Sequence, residues 1–201
     1  MNGTVTVHVV DDDPSMRDSL SFLLQTSGFA VCVYDSAEAF LADAASVAGC
    51  VLTDVRMPRI DGLELQRRLS KQRLPLAVVV MTGQGDIALA VSAMRAGAVD
   101  FLEKPFEEQA LLEAVGRALD QSQRLREADE TASRATARLA TLTPREREVL
   151  DLLVAGLPNK AVANKLGSSP RTVEVHRARV LEKLQARGLP DLVRIVLAAG
   201  H

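Results

Sequence analysis

The feature that most constrains this chain is the alternation, from Val5 to about Asp120, of short apolar runs with amphipathic helical patterns. The runs Val5 to Val10 (with His8 interrupting), Cys50 to Thr53, Leu76 to Met81 and Val99 to Leu102 are each short and β-branched enough to be buried parallel strands. Helical patterns fall between them at Pro14 to Ser27, Ala37 to Ala44, Gly62 to Ser70, Ile87 to Ala96 and Glu107 to Leu119. Gly28 before the second strand and Gly97 before the last stand where a left-handed residue ends a helix. Strict alternation of this kind predicts an α/β fold, a doubly wound parallel sheet with helices on both faces. Ligands bind such a sheet at the carboxyl edge of its strands. There the runs deliver Asp11 and Asp12, then Asp54, Thr82 and Lys104.

The rest of the chain follows a different pattern. Residues 121–140 (QSQRLREADETASRATARLA) are polar, alanine-rich and free of Pro and Gly, which predicts a helical linker continuing the last helix. From Leu142 onward no strand-like run occurs. Thr143-Pro144-Arg145-Glu146 combines an N-cap threonine, a proline at the first helical position and a glutamate at the third. Further helices are expected at Asn159 to Leu166, Arg171 to Leu184 and Leu189 to Ala199, the last after a break at Gly188. The domains are therefore expected at 4–120 and 141–201, joined by 121–140. Charge divides along the same lines: the net charge of −2 is made of −7 over 1–120, +1 over 121–140 and +4 over 141–201. An acidic half joined to a basic half predicts that only the second faces a polyanion such as nucleic acid.

Cys32 and Cys50 form no CxxC pair and lie in apolar stretches, so both are expected to be small buried hydrophobes in a reducing compartment. The amino terminus has no basic stretch leading into a long apolar segment, and no run approaches the roughly 20 apolar residues of a membrane helix. A cytoplasmic protein is expected.

The acidic and polar residues at the strand ends suit phosphoryl chemistry. A carboxylate attacks phosphorus poorly unless a dication neutralises the incoming charge. Asp11 and Asp12, joined by Asp54 and a backbone carbonyl, offer hard oxygen ligands suited to Mg²⁺. Asp54 is then the acceptor, Thr82 offers a hydroxyl to one phosphoryl oxygen and Lys104 a point charge to another. Pro105 makes a cis bond after Lys104 plausible.

In the motifs VVDDDP, TDVRMPRIDGLEL, MTGQGD and FLEKPFEE, residues 4–120 resemble a two-component response-regulator receiver domain, with the flavodoxin-like five-stranded sheet of that family. The resemblance implies phosphoryl transfer from a phosphohistidine on a sensor histidine kinase to Asp54. It implies Mg²⁺ held by Asp12, Asp54 and the carbonyl of Arg56, with Asp11 acting largely through water, and no enzymatic turnover beyond slow self-phosphorylation and self-dephosphorylation. Phe101 matches the family's aromatic switch position: Thr82 would be drawn inward and Phe101 would rotate after it, changing the face of the fourth helix and fifth strand.

Residues 142–199 resemble the LuxR/NarL-type helix-turn-helix, through LTPREREVLDLLVAGLPNKAVANKLGSSPRTVEVHRARVLEKL. Such a helix would lie in the major groove. With Val173, Val180 and Leu184 turned inward at about 100° per residue, Leu181 and His176 fall on the flanks. Arg171, Thr172, Glu174, Val175, Ala178 and Arg179 then face out. Arg171 and Arg179 suit phosphate, Val175 a thymine methyl and Glu174 the amine of cytosine. Lys160 would reach phosphate from the preceding helix, while Arg177 would bury its stem near the apolar flank and reach the backbone. His176 is read as a packed or capping histidine.

Within this class TVEVHRARV, LPDLVRIVLAAG and FLEKPFEEQALLEAV are most similar to the FixJ subfamily. That similarity implies dimerisation on phosphorylation through Val91, Arg95 and Asp100, and release of the DNA module. It also implies activation of transcription by RNA polymerase, a FixL-type kinase, and control of nitrogen-fixation or microaerobic genes. A rival reading, an aspartate-nucleophile phosphohydrolase built on Asp11-Asp12-Asp13, is opposed by Pro14-Ser15, where such enzymes carry a small residue and then Thr or Val. A third makes the terminal helices a protein-docking module.

Overall fold

A computed structural model describes residues 6–83 and 87–200. Val5, at the head of the first run, and Gln84, Gly85 and Asp86 of the MTGQGD motif lie outside the described residues. The chain divides into two compact units, Met1–Arg126 and Glu127–His201.

The first unit alternates strand and helix: β1 (Thr6–Val10), α1 (Pro14–Thr26), β2 (Ala30–Tyr34), α2 (Ala37–Asp43), β3 (Gly49–Asp54), α3 (Gly62–Lys71), β4 (Ala77–Thr82), α4 (Ile87–Arg95), β5 (Asp100–Glu103) and the start of α5 (Glu108–Leu139). The five strands are parallel, in the order β2-β1-β3-β4-β5. This is the flavodoxin-like doubly wound order, in which the first strand is flanked by the second and third. Every residue of β3 and β4 is buried, as strands covered on both faces require. On one face Val7, Val9, Leu52 and Val79 pack with Leu24 of α1 and Leu111 and Val115 of α5. On the other Val10, Val51 and Val80 pack with Phe40 of α2, Leu65 and Leu69 of α3 and Ala93 of α4. Gly28 (φ 89°) and Gly97 (φ 96°) are left-handed, as the helix-end reading requires.

β2 is an edge strand, and this corrects one expectation: Cys50 is fully buried, but Cys32 is exposed. An edge strand is covered on one side only, so its apolar composition does not guarantee burial. Beside it, under α2, the rings of His8, Tyr34 and Phe40 are grouped, with Tyr34 edge-on to Phe40 at 5.1 Å between centroids. His8 is 2 % exposed, and its Nε2 lies 3.2 Å from the Ala48 carbonyl oxygen. Burial holds its imidazole below the usual histidine range.

Helix α5 continues through the expected linker, and its residues are shared between the units. Ser122 is buried and its Oγ accepts from the Ala77 backbone N–H at the head of β4, 2.8 Å away. Leu139 belongs to the core of the second unit with Leu150, Val180, Leu184, Leu192 and Val196. The stretch expected to join two finished domains is thus divided at 126/127 and supplies side chains to both.

The second unit adds α6 (Pro144–Val154), α7 (Asn159–Lys165), α8 (Pro170–Leu184) and α9 (Leu189–Ala198). Thr143 and Glu146 form a reciprocal capping box at the start of α6. Val149 and Leu153 of α6, Val162 and Ala163 of α7, and Val173 of α8 form a second small core. Among the described residues no helix is long and apolar enough to cross a membrane.

Candidate functional site

The three consecutive aspartates after β1 serve three different purposes. Asp11 is 1 % exposed and aims its Oδ2 at the Lys104 ammonium, 3.1 Å away. Asp12 is exposed and faces a cleft of about 530 Å³ lined also by Arg56, Pro58 and Asp61. Asp13 is the N-cap of α1 and accepts from the Ser15 N–H at 2.9 Å. That cap was missed in the sequence, although an aspartate directly before a proline at the first helical position is its usual signature. Arg17, one turn into α1, donates to the Asp11 carbonyl at 2.6 Å and fixes the strand end.

Asp54 ends β3, 8 % exposed. One carboxylate oxygen accepts a short hydrogen bond from the Lys104 ammonium, the other accepts from the Arg56 N–H at 2.7 Å. Lys104 follows β5, and its bond to Pro105 is cis. Three strands therefore bring Asp11, Asp54 and Lys104 to one point at the carboxyl edge. Burial pushes the Asp11 carboxyl up despite the bonds from Asp13 and Lys104. Burial likewise pulls the Lys104 ammonium down, but its bonds to Asp54 and Asp11 outweigh this and hold it above the usual lysine range. Two carboxylates with one ammonium between them make a site that demands positive charge.

Among the described residues no three of the His, Cys, Asp and Glu side chains are drawn together as a metal cluster. The expected ligand set of Asp11, Asp12, Asp54 and the Arg56 carbonyl is thus near at hand but not gathered: Lys104 engages Asp11 and Asp54, and Asp12 points to the cleft. The donor chemistry still fits a hard dication, since the acidic side chains at this edge, Asp11, Asp12 and Asp54, offer only carboxylate oxygens.

The close approach of α3 was also missed. A Cβ on Gly62 would lie 2.2 Å from the Asp54 carbonyl oxygen, so only glycine lets α3 start against the acceptor strand. Its N–H donates to the Val55 carbonyl at 3.0 Å. Asp61 caps the same helix through the Glu64 N–H.

Thr82 ends β4, 2 % exposed, with its hydroxyl donating to the Gly83 carbonyl at 3.2 Å. It shares an apolar groove of about 480 Å³ with Val91, Met94, Arg95 and Phe101, the last 42 % exposed. The third expected interface residue, Asp100, pairs with Arg117 of α5 and accepts from the Phe101 N–H.

In the second unit α8 places Val173, Val180 and Leu184 inward, and Leu181 and His176 at half-burial. Arg171, Thr172, Glu174, Val175, Ala178 and Arg179 are exposed along one side, and Lys160 is exposed on α7. Arg177 is half-buried and donates to Asn159 Oδ1 at 3.3 Å, a partner the helical wheel gave no means of naming. Lys183, near the end of α8, reaches back to Glu146 Oε2 at 2.6 Å and to the Thr141 carbonyl at 3.2 Å. The bond from Lys183 and those from Thr143 hold the Glu146 carboxyl down at about 2.

Comparison with known proteins gives two family matches: the response regulator receiver domain over residues 7–116 and the bacterial regulatory proteins of the luxR family over residues 140–196. The chain is similar to the transcriptional regulatory protein FixJ of Azorhizobium caulinodans, 51 % identical over 201 residues, covering all of this chain and 95 % of that protein. Among solved structures it is similar to the response regulator StyR, with a TM-score of 0.81 and 43 % identity over 97 % of this chain and 99 % of that one. Full-length FixJ from B. japonicum aligns at a TM-score of 0.60 and 47 % identity, over 99 % and 98 % of the two chains.

Proposed function

We propose the following for a chain that belongs to the two-component response regulators, with a receiver domain ahead of a LuxR-type DNA-binding domain as in the FixJ proteins: Asp54 accepts a phosphoryl group from a sensor histidine kinase, and the phosphorylated protein activates transcription. The observation that carries the reading is the convergence of Asp11, Asp54 and Lys104 from three strand ends, with Thr82 at the end of a fourth. In the transfer a phosphohistidine N–P bond breaks as an Asp54 O–P bond forms, and the protein supplies position and charge. Asp12, Asp54 and the Arg56 carbonyl would hold Mg²⁺, with Asp11 behind them. Bound there, the dication screens the carboxylates from the incoming phosphoryl oxygens.

Lys104 then exchanges its hold on Asp54 for a phosphoryl oxygen. The Thr82 hydroxyl leaves the Gly83 carbonyl for a second oxygen, and Phe101 turns into the space beside it. The face bearing Val91, Arg95 and Asp100 changes shape and pairs with a second copy. Arg171, Arg179 and Lys160 meet DNA phosphates, Thr172, Glu174 and Val175 face the bases, and Arg177 reaches the backbone from the edge of the helix. The domains are assigned to 4–120 and 141–201. The protein works in the cytoplasm with a FixL-like kinase and RNA polymerase, on nitrogen-fixation or microaerobic genes.

The test is solution mass by light scattering, with and without beryllofluoride and Mg²⁺, on wild type and Asp54→Asn. A monomer becoming a dimer in the wild type alone is expected. Dimerisation of the Asp54→Asn protein under the same conditions would overturn the assignment.

A further inference from the structure

A buried amide lies between the phosphoacceptor strand and the α4 face. Gln66, on the inner side of α3, is 1 % exposed. Its Nε2 donates to the Ala93 carbonyl of α4 at 3.2 Å. That carbonyl also accepts from the N–H groups of Ala96 at 3.1 Å and Ala98 at 3.0 Å, so the amide grips α4 where the helix ends. The carbonyl of Ala93 only accepts, which fixes which way the amide points. Its Oε1 is buried with no hydrogen-bond partner among the described residues. The residue it grips, Ala93, belongs to an apolar core with Leu65 and Leu69 of the same helix as Gln66, and a leucine buried in place of Gln66 would leave no polar atom of its own unsatisfied. A half-satisfied amide in such a core calls for a reason other than stability.

Its position supplies one. Gln66 follows Gly62 by one helical turn, and Gly62 abuts the Asp54 carbonyl. α3 therefore touches the acceptor strand at its first residue and holds α4 one turn later. α4 in turn carries Val91, Met94 and Arg95 of the groove shared with Thr82 and Phe101.

We propose that Gln66 is a positioning residue that tethers the carboxyl end of α4 in the unphosphorylated arrangement and so sets how readily modification of Asp54 reshapes the α4 face. This rests on the reading of Asp54 as the phosphoacceptor. A bond made in one arrangement and lost in the other biases the equilibrium by its own strength. Removing it favours the activated arrangement, and by linkage tightens binding of any ligand that selects that arrangement.

The test uses the full chain, with Gln66→Leu and, should that protein not fold, Gln66→Met, which keeps the side chain's length and loses the donor. Beryllofluoride with Mg²⁺ is the probe, and its bound ¹⁹F resonance reports occupancy at Asp54 independently of α4. Amide exchange at Ala96 and Ala98 reports the tether without any ligand. The expected result is faster exchange at those two amides and a half-saturating beryllofluoride concentration lowered by about fivefold or more. A lower thermal midpoint with unchanged half-saturation would mean that Gln66 only fills the core, and would overturn the proposal. So would wild-type exchange rates at Ala96 and Ala98. Failure of the wild type to bind beryllofluoride removes the phosphoacceptor reading and the coupling with it, while unchanged exchange beside normal binding removes the tether alone.

Discussion

Each unit of this protein buries carboxylate beside lysine, and the two arrangements are opposite in character. In the first, two carboxylates share the single ammonium of Lys104, and burial leaves Asp11 harder to ionise than an ordinary aspartate. In the second, one carboxylate has one ammonium and a cap: Glu146 takes Lys183 and the Thr143 N–H, and is easier to ionise than an ordinary glutamate. The signs of their pH dependence follow. A raised carboxyl costs stability at neutral pH and ceases to cost it as acid protonates the group. A lowered one contributes at neutral pH and is lost in acid. The first pattern is the one expected of a site that receives a ligand, the second that of a scaffold contact completed internally.

The comparison breaks most visibly at Asp54. Asp54→Asn is expected to keep the fold by circular dichroism and to lose phosphoryl uptake to background in a transfer assay with a phosphorylated kinase. Normal uptake would show that the unsatisfied cluster is not the acceptor. Lys104→Ala is expected next in size: phosphoryl uptake persists, while the shift to dimer on light scattering falls strongly, because the ammonium no longer reads the new group. A full dimer response in that variant would make Lys104 a structural counter-ion like Lys183.

On the second unit, Arg171→Ala and Arg179→Ala should each reduce the salt dependence of duplex binding by about one unit of slope. Arg177→Ala, whose partner is Asn159, should change it less; equal slopes for all three would undo the distinction drawn from burial. Glu146→Gln is expected to cost about 1–2 kcal/mol by urea denaturation at pH 7, discounted because Lys183 remains partly in water. The carboxyl falls from 4.5 to about 2. The difference between variant and wild type should therefore be full above pH 4.5 and shrink as the pH falls towards 2. A difference that persists unchanged in acid would mean that the cap is mainly shape. The smallest effect concerns the cysteines: Cys32 should react with a thiol reagent in the native protein and Cys50, pushed up to about 12 by burial, only after unfolding. Equal reactivity would contradict the edge-strand placement.

Much of this arrangement is legible in the amino-acid sequence. Asp11, Asp54, Thr82 and Lys104 each follow an apolar run, and a parallel sheet carries run ends to one edge whatever the details of packing. Val173, Val180 and Leu184 were legible because helical periodicity fixes which side of α8 is buried. Contacts that depend on how two elements approach each other left no such signal. The bonds of Gln66 to α4 and of Arg177 to Asn159 join residues 27 and 18 positions apart whose spacing follows no rule. Cys32 was misplaced because an apolar strand reads alike at the centre and the edge of a sheet. The 121–140 stretch looked like a spacer because its contacts are few and of different kinds: a buried hydroxyl, Ser122, in the first unit and one core leucine, Leu139, in the second.

The ring cluster of His8, Tyr34 and Phe40 has a practical consequence. The chain has no tryptophan, Tyr34 is its one tyrosine, and all five phenylalanines precede residue 127. The near-ultraviolet spectrum of the whole protein therefore originates in the receiver, and its tyrosine emission comes from a single ring against β1 and α2. The DNA-binding unit is optically silent at these wavelengths. Melting followed by tyrosine fluorescence sees one unit, melting followed by helical circular dichroism sees both, and the difference between the two curves isolates the second without any label.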